Sequence, residues 1–515
     1  MKILRSMSTV WSFTLGSRIF GFLRETLVAA ILGAGVITDA LFIAIKIPSI
    51  FRRVFAEGAL NAAFIPIFTR LYTQEGAQKA KEFAEEVLSL LFFFMLGFVV
   101  LFELILPVFL PLIAPGLHAT PERLMYAIQF SRITFPFILF ISLCALYSGI
   151  LNSLERFVAV SSSPMMGNIF IIGFILALKP LVTEKGYLCA TSILGCGIIQ
   201  LLWVMIPAYK TPFRLRLRMP RFTEHLKKML KLMGPVAVTS GLHQINVGVG
   251  IFISSFLPVG GISYLNYAER VNQLPTSMIG TALATVMLPL LARLIRSRQG
   301  EETTQTQNQA LELALLLALP SMAVLFCFAE PIIIVLFKTG AFALKDARQT
   351  SYALMAFSLG LPAYILIKLF STIFYAHEEA KTLIVYALIS VITDIILALA
   401  LLKPFHHMGI ASATAIAAWV YALGLGSKLY RKNYFSLTPH FLSFFPRILL
   451  TTFTLAIIMF YMKEYAYPYF LMSKPYQIGA LCLLIMSSLV FYGILGSLLG
   501  AIDLTYWKNQ FNRGV

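Results

Sequence analysis

About fourteen runs of apolar residues constrain this chain more than any other feature, because a bilayer core takes about 20 apolar residues per helix. Of the 515 residues, 59% are hydrophobic and 12% charged, against roughly 25% charged in soluble domains. This excludes a soluble enzyme, a secreted disulfide scaffold and a disordered chain, and predicts an all-α polytopic membrane protein with about 14 transmembrane helices. The runs cover approximately residues 8–32, 36–56, 85–112, 122–151, 157–179, 187–208, 233–257, 261–291, 308–336, 350–375, 382–402, 408–428, 441–461 and 477–500.

The net charge of +18, from 41 Lys and Arg against 23 Asp and Glu, is distributed unevenly between the loops. If the N-terminus is inside, the loops on the cytoplasmic side carry more basic residues than the loops on the opposite side. This asymmetry predicts both termini in the cytoplasm. The first run carries Arg18, Arg24 and Glu25, so we interpret it as a retained helix rather than a cleaved signal peptide. The most basic stretch, 210–232, is expected to lie on anionic headgroups rather than to bind nucleic acid, because apolar residues and arginines alternate in it.

Matched prolines predict an internal duplication. Pro48 pairs with Pro275, Pro66 with Pro289 and Pro136 with Pro362, at separations of 223–227 residues. The offset covers six spans, an even number, so two six-helix lobes should be related by a pseudo-twofold axis along the membrane normal, with two extra C-terminal helices. The predicted domains are an N-lobe at 1–209, a linker at 210–232, a C-lobe at 233–432 and a C-terminal pair with its tail at 433–515.

Charged residues within the runs need partners or water, because a charge at bilayer depth costs at least about 2.5–3.5 kcal/mol. Local ion pairs are one explanation: helical spacing and short loops favour Arg18–Glu25, Arg53–Glu57 and Arg24–Asp39. These pairs cannot absorb the whole set, since basic residues outnumber acids. The surplus arginines predict a hydrated cationic cavity that binds an anion, because a guanidinium suits bidentate binding of phosphate or carboxylate. The intramembrane charges are Arg18, Arg24, Glu25, Asp39, Lys46, Arg52, Arg53, Glu57, Arg132, Glu269, Arg270 and Lys368.

The N-terminal motif Ser17-Arg18-Ile19-Phe20-Gly21-Phe22-Leu23-Arg24-Glu25 resembles the start of the MurJ/MviN family. The resemblance continues through Gly33-Ala34-Gly35, Thr38-Asp39-Ala40, Arg52-Arg53, Phe55-Ala56-Glu57-Gly58-Ala59, Tyr267-Ala268-Glu269-Arg270 and Phe374-Tyr375, and spans nearly the whole chain. Members are the lipid II flippases of peptidoglycan synthesis, within the MOP exporter superfamily. The resemblance implies fourteen helices in two lobes that work by alternating access.

The resemblance also implies roles for individual residues. Arg18, Arg24, Arg52 and Arg270 would engage the lipid-linked diphosphate, with Ser17 and Arg53 as neighbouring substrate contacts. Asp39 would belong to an outer gate near Arg24, with Glu57 as a second gating residue, and the last two helices would hold the polyprenyl tail. A sodium site found in some members maps to Asp394 and, with no acid in span 7, to Asn246, so coupling to Na⁺, to H⁺ or to membrane potential alone stays open.

The expected function is therefore translocation of lipid II to the outer leaflet of the bacterial inner membrane, with membrane lipids as surroundings and no nucleic acid partner. We expect a monomer that operates alongside the cell-wall synthesis machinery. The alternatives are a flippase for another polyprenyl-diphosphate-linked saccharide and a MATE-like exporter, although a cation exporter needs surplus buried acids. We expect neither an enzyme nor a metal site, since the four aspartates are far apart in sequence and the histidines form no metal-binding motif.

Overall fold

The chain folds into helices that form two compact units. The computed structural model describes residues 2–53, 60–219, 222–297 and 299–502, and for residues 2–9, 237–240, 242 and 243 it describes the backbone alone. The first unit ends at Ser263 and the second begins at Tyr264. Within the described ranges every regular element is helical, which confirms the all-α class.

The first unit contains nine helices within its described residues, with a 3-10 turn over Pro115–Ala119. They are α1 (Lys2–Leu32), α2 (Val36–Arg52), α3 (Asn61–Gln74), α4 (Ala77–Ile113), α5 (Pro121–Thr134), α6 (Phe137–Ser153), α7 (Phe157–Leu178), α8 (Lys185–Tyr209) and α9 (Glu224–Ser255).

The second unit follows from the first turn of α10 onward, with a 3-10 turn over Tyr467–Leu471. Its helices are α10 (Gly261–Arg296), α11 (Gly300–Cys327), α12 (Ala329–Phe337), α13 (Leu344–Ser358), α14 (Leu361–Ala376), α15 (Ala380–Arg431), α16 (Pro439–Ala466) and α17 (Lys474–Leu498).

Ten helical segments among the described residues are long and apolar enough to cross a membrane, so the chain is a multi-pass membrane protein. The 52-residue α15 covers two predicted spans and bends at His406, whose φ is +47°. Helix α1, with its charged residues, is not among the ten. The count of fourteen spans therefore stays a prediction.

Two paired helix breaks occur at the predicted repeat distance. Helix α5 ends before Pro136 and α6 begins after it, while α14 carries Pro362 in its first turn, directly after α13. Proline lacks the N–H that an interior helix position donates, and its ring clashes with the preceding turn. The breaks support a duplication, and the lobe boundaries at 1–209 and 233–432 stay a prediction.

The C-terminal helices α16 and α17 are attached to α11 by polar contacts. His440 Nδ1 lies 2.8 Å from Glu312 Oε1, and Asn308 Nδ2 donates to the carbonyl of Ser436 at 2.8 Å. Tyr492, on α17, donates its hydroxyl to Leu316 O at 2.7 Å. Such hydrogen bonds fix helix positions in lipid, where apolar contact alone drives little association.

The basic linker forms an extended segment, residues 211–219, that we call the strap. Phe213 is buried, with its ring 5.0 Å from that of Phe68 and 5.5 Å from that of Tyr72, and Leu215 is buried as well. The expectation that the apolar side of the linker rests on headgroups is therefore wrong for these two residues. Phe213 packs on α3 because the protein offers an aromatic surface there.

An ion pair joins the two ends of α15. Glu379 precedes this helix and Lys432 follows it, and Lys432 Nζ contacts Glu379 Oε2. The Tyr434 hydroxyl donates to Glu379 Oε1 at 2.7 Å, and the His377 ring stacks on Tyr434 at 3.9 Å. The hydrogen bonds from Lys432 and Tyr434 hold the pKa of Glu379 below its usual range.

We expect Glu379→Gln to lower the thermal midpoint of unfolding at pH 7 and to lose this effect in acid. Because the folded-state pKa of Glu379 is lowered, the pair stabilises the fold above the unfolded pKa of about 4.3. That contribution disappears as the pH falls through the lower folded value. Thermal unfolding of purified protein from pH 7 to pH 3 measures the difference. Glu378→Gln is the matched control and should follow the parent; a deficit that grows in acid would contradict the assignment.

Candidate functional site

Arg24, in the second half of α1, is held by two neighbours. Its Nη2 donates to Glu25 Oε1 at 2.6 Å and its Nη1 to Asn168 Oδ1, on α7, at 3.1 Å. Asn168 also donates to the backbone carbonyl of Ser17 at 3.2 Å, so one amide links two turns of α1. The Arg24 side chain keeps 29% of its surface exposed. The guanidinium is thus fixed in direction and still accessible.

These contacts correct two predicted ion pairs. Glu25 pairs with its chain neighbour Arg24 and not with Arg18, which lies seven residues away on the same helix. Asp39 does not pair with Arg24 either, since its carboxylate is occupied by other partners described below. The third predicted pair, Arg53–Glu57, cannot be compared because Glu57 lies outside the described residues.

The other predicted substrate contacts of the first unit lie along α1 and at the end of α2. Ser17 is half-buried and Arg18 exposed on α1, while Arg52 is half-buried at the last position of α2 and Arg53 follows it, exposed. Three of these arginines are therefore carried by two consecutive helices, and Arg53 directly follows the second of them. Their joint action on one anion stays a prediction.

Of the remaining predicted substrate and ion-coupling residues, Asn246 is half-buried on α9 of the first unit, and Arg270 and Asp394 lie in the second unit. Arg270 is half-buried on α10. Asp394, on α15, accepts a hydrogen bond from the Thr414 hydroxyl at 3.2 Å. Lys368, on α14, donates to Thr281 Oγ1 on α10 at 3.1 Å. A role of Asp394 or Asn246 in ion coupling stays a prediction.

Asp39 is fully buried in the first unit and receives hydrogen bonds at both carboxylate oxygens. Its Oδ1 accepts from the Ser263 backbone N–H at 2.9 Å and from the Ser263 hydroxyl at 2.6 Å. Its Oδ2 accepts from the Gly260 N–H at 2.8 Å. These N–H groups lie at the start of α10, where a helix carries partial positive charge and its first amides lack partners. The carboxylate therefore caps the N-terminus of α10.

Arg123 completes this arrangement, which we call the Asp39 node: Asp39, Arg123, Gly260 and Ser263. Arg123 Nη1 lies 3.3 Å from Asp39 Oδ2 and donates to Leu257 O at 3.1 Å, and Nη2 donates to Ser255 O at 2.7 Å. The carbonyls belong to the C-terminal end of α9, where a helix carries partial negative charge. With 2% of its surface exposed, Arg123 is buried as completely as Asp39.

A glycine allows the loop before α5 to approach α9. Gly116 donates its N–H to Ser255 Oγ at 3.0 Å, and a Cβ at this position would lie 2.5 Å from the backbone of Ser255 and Phe256. A larger residue would therefore push the loop away from the node.

Sequence reasoning missed Arg123 because it stands at the edge of an apolar run, where an exposed loop charge is the usual interpretation. One signal was present. If both termini are inside, Arg123 falls on the side where basic residues are scarce, which makes it a candidate for a specific partner within the protein.

Comparisons with known proteins agree on one family. A family model described as "Lipid II flippase MurJ" matches residues 28–479. A probable lipid II flippase MurJ of Rhizobium meliloti (strain 1021) is 35% identical, covering 100% of this chain and 97% of that protein. The solved structure of "Lipid II flippase MurJ, inward closed conformation" superposes with a TM-score of 0.75 at 29% identity, over 95% of this chain and 99% of that one. An inward-facing MATE family transporter of the MOP superfamily reaches 0.58 at 17% identity, over 82% and 94%, a likeness of fold alone.

We expect Arg123→Met to destabilise the first unit by about 3–5 kcal/mol, because it leaves the Asp39 carboxylate buried without its cation. The double variant Asp39→Asn/Arg123→Met should recover part of this loss, since no buried charge remains. Lys79→Met is the control: Lys79 lies 3.9 Å from Glu82 in an exposed pair, so its removal should cost less than about 1 kcal/mol. Equilibrium unfolding in detergent micelles measures all three. Equal losses for Arg123→Met and Lys79→Met would show that the buried pair contributes no more than a surface pair.

Proposed function

The chain belongs to the MurJ family of lipid II flippases, and from this membership we propose that it carries lipid II from the cytoplasmic to the outer leaflet of the bacterial inner membrane. The observation that carries the proposal is 35% identity, over the entire chain, to a protein named as a probable lipid II flippase. The proposed activity is transport, with no covalent change in the lipid.

The physical task is to move a diphosphate with its sugars and peptide past hydrocarbon. An isolated buried charge costs many kcal/mol, so the head needs a hydrated basic path while the tail stays in lipid. We propose that Arg18, Arg24, Arg52 and Arg270 supply this path, replacing phosphate hydration with charge-assisted hydrogen bonds. Ser17 and Arg53 are proposed as neighbouring contacts.

The geometry around Arg24 supports this assignment. Asn168 and Glu25 take two of its N–H groups and fix the plane of the guanidinium, and the exposed part of the side chain leaves further donors for a ligand. A donor held in place loses less conformational entropy on binding than a mobile one. The Glu25 carboxylate offsets part of the positive charge of Arg24. The diphosphate can therefore bind tightly enough to be captured and weakly enough to be released.

We assign the outer gate to the Asp39 node. Transport by alternating access needs one side closed while the other is open, and a ligand shifts this balance by its different affinity for the two states. Movement of the α9–α10 turn requires the Asp39 and Arg123 hydrogen bonds to break together. Glu57, which lies outside the described residues, is retained as a candidate gating residue from sequence alone.

In the proposed orientation both termini are cytoplasmic, as the basic loops favour, and the node lies at the opposite membrane face. A monomer operating beside the cell-wall synthesis machinery is sufficient for this scheme. Membrane potential can drive the step, because an anion leaving a negative-inside cell gains about 2.3 kcal/mol per charge per 100 mV. Asp394 and Asn246 would matter only if Na⁺ or H⁺ is coupled as well.

We expect Arg24→Ala and Arg270→Ala to abolish function in cells, because a lost charge-assisted hydrogen bond of about 1.5–3 kcal/mol reduces binding roughly 10- to 100-fold. Growth of a strain depleted of its own flippase measures this, with the membrane level of each variant determined in parallel. Arg431→Ala removes an exposed arginine at the end of α15 and should restore growth like the parent. Restored growth by a well-inserted Arg24→Ala would refute the assignment of the binding residues.

We expect flipping in vesicles to speed up when the interior is made negative, with the protein inserted termini-inside. The direction follows from the negative charge of the diphosphate. Fluorescent lipid II in the inner leaflet and an impermeant quencher outside report the rate, at zero potential and at a potassium-diffusion potential, with and without Na⁺. Equal rates at both potentials, together with acceleration by Na⁺, would assign the driving force to ion coupling.

A further inference from the structure

We propose that the strap, together with the first turns of α9, is a binding site for anionic phospholipid headgroups at the membrane surface. The proposal concerns the surrounding lipid and does not depend on which lipid is transported. It rests on three properties of the described residues: a fixed backbone, a surplus of exposed cations, and exposed apolar side chains between them.

The strap is held in an extended form by contacts with α4. The backbone N–H of Arg216 donates to Glu85 Oε1 at 3.2 Å, and that of Arg218 donates to Ser89 Oγ at 3.0 Å. Arg218 Nε lies 3.0 Å from Glu85 Oε2, so this arginine serves as an anchor. With Phe213 also buried, the segment presents its remaining side chains from a preformed surface.

The attachment point on α4 marks a membrane boundary. Helix α4 has 37 residues, about 55 Å at 1.5 Å per residue, whereas the hydrocarbon core is about 30 Å thick. Apart from Glu103, its charged residues all lie before Val87, and beyond Ser89 the sequence is otherwise apolar. Glu85 and Ser89 therefore stand where polar surroundings give way to hydrocarbon, which is the depth of lipid headgroups.

Two arginines of the strap are available to a ligand. Arg214 and Arg216 are exposed, and among the described residues no carboxylate pairs with either of them. The Nε of Arg214 donates to Tyr209 O at 3.1 Å. The first turns of α9 add three exposed lysines, Lys227, Lys228 and Lys231. Basic groups at a membrane surface attract anionic lipid, and a guanidinium fits a phosphate bidentately.

Apolar side chains distinguish this site from a solvated basic loop. Leu217 is 49% exposed, Met219 81% and Phe222 62%, close to the arginines in sequence. On the apolar side of the strap, Phe213 and Leu215 reach the protein, whereas Leu217 and Met219 extend beyond it. Side chains of this kind enter the boundary between headgroups and acyl chains. If the ligand were a nucleic acid, these apolar side chains would stay in water, so a lipid surface fits the site better.

Titration of purified full-length protein with phosphatidylglycerol, and separately with phosphatidylcholine, tests the proposal, with bound lipid counted by native mass spectrometry. The parent should prefer phosphatidylglycerol. Arg214→Gln/Arg216→Gln should weaken phosphatidylglycerol binding by roughly fivefold for each charge removed and leave phosphatidylcholine binding unchanged. Both side chains are exposed and the anchors are untouched, so the fold should persist, as thermal unfolding will verify.

Two further variants distinguish binding at this site from a general effect of the protein's net charge. Lys381→Gln/Arg431→Gln removes two exposed charges from the second unit and should bind phosphatidylglycerol like the parent. Arg214→Lys/Arg216→Lys keeps the charge and loses only the bidentate contacts, so it should lose less affinity than Arg214→Gln/Arg216→Gln. Three results would each overturn the proposal. The first is an equal loss of phosphatidylglycerol affinity in Lys381→Gln/Arg431→Gln, and the second is no loss in Arg214→Gln/Arg216→Gln. The third is binding of a single-stranded RNA oligonucleotide as tight as that of phosphatidylglycerol.

Discussion

A charged group that is withdrawn from water must be satisfied by the protein, and this requirement organises the first unit. Arg24 is satisfied by an amide from α7 and the carboxylate beside it. Asp39 and Arg123 satisfy each other and, in addition, the unpaired backbone groups at the ends of two helices. Both solutions join helices that are distant in sequence. Arg24 and Asp39, two charges that look costly in the sequence, therefore help to hold α1 to α7 and the α9–α10 turn to α2, while Arg123 adds the contact with α5.

The helical segments were predictable because lipid imposes them. A backbone in hydrocarbon has to make its own hydrogen bonds, so an apolar run of sufficient length becomes a helix. The breaks at Pro136 and before Pro362 were also foreseeable, since proline removes a donor. The bend in α15 was foreseeable as well, because the predicted spans 382–402 and 408–428 stop on either side of His406 and Pro404 lies two residues before it.

The partners of the charged residues were less predictable than their positions. Spacing along one helix suggested Arg18 for Glu25, and a short loop suggested Asp39 for Arg24. The observed partners, Asn168 and Arg123, come from helices whose placement follows from packing across the whole unit. Periodicity reports which face a residue occupies and contains no information about which helix lies opposite. The linker shows the same limit: its alternation predicts which residues share a side, and it contains no sign of the aromatic surface that receives Phe213.

The Asp39 and Arg123 side chains each have two roles, and this determines how the contact between them can open. Each one neutralises its opposite and at the same time completes a helix terminus, so separating them would expose an acid, a base and several bare backbone groups in a single event. A partly separated arrangement gains no compensating free energy until water or new partners replace all of these contacts. Such a junction should open all at once or not at all, and its thermal fluctuations about the observed arrangement should be small.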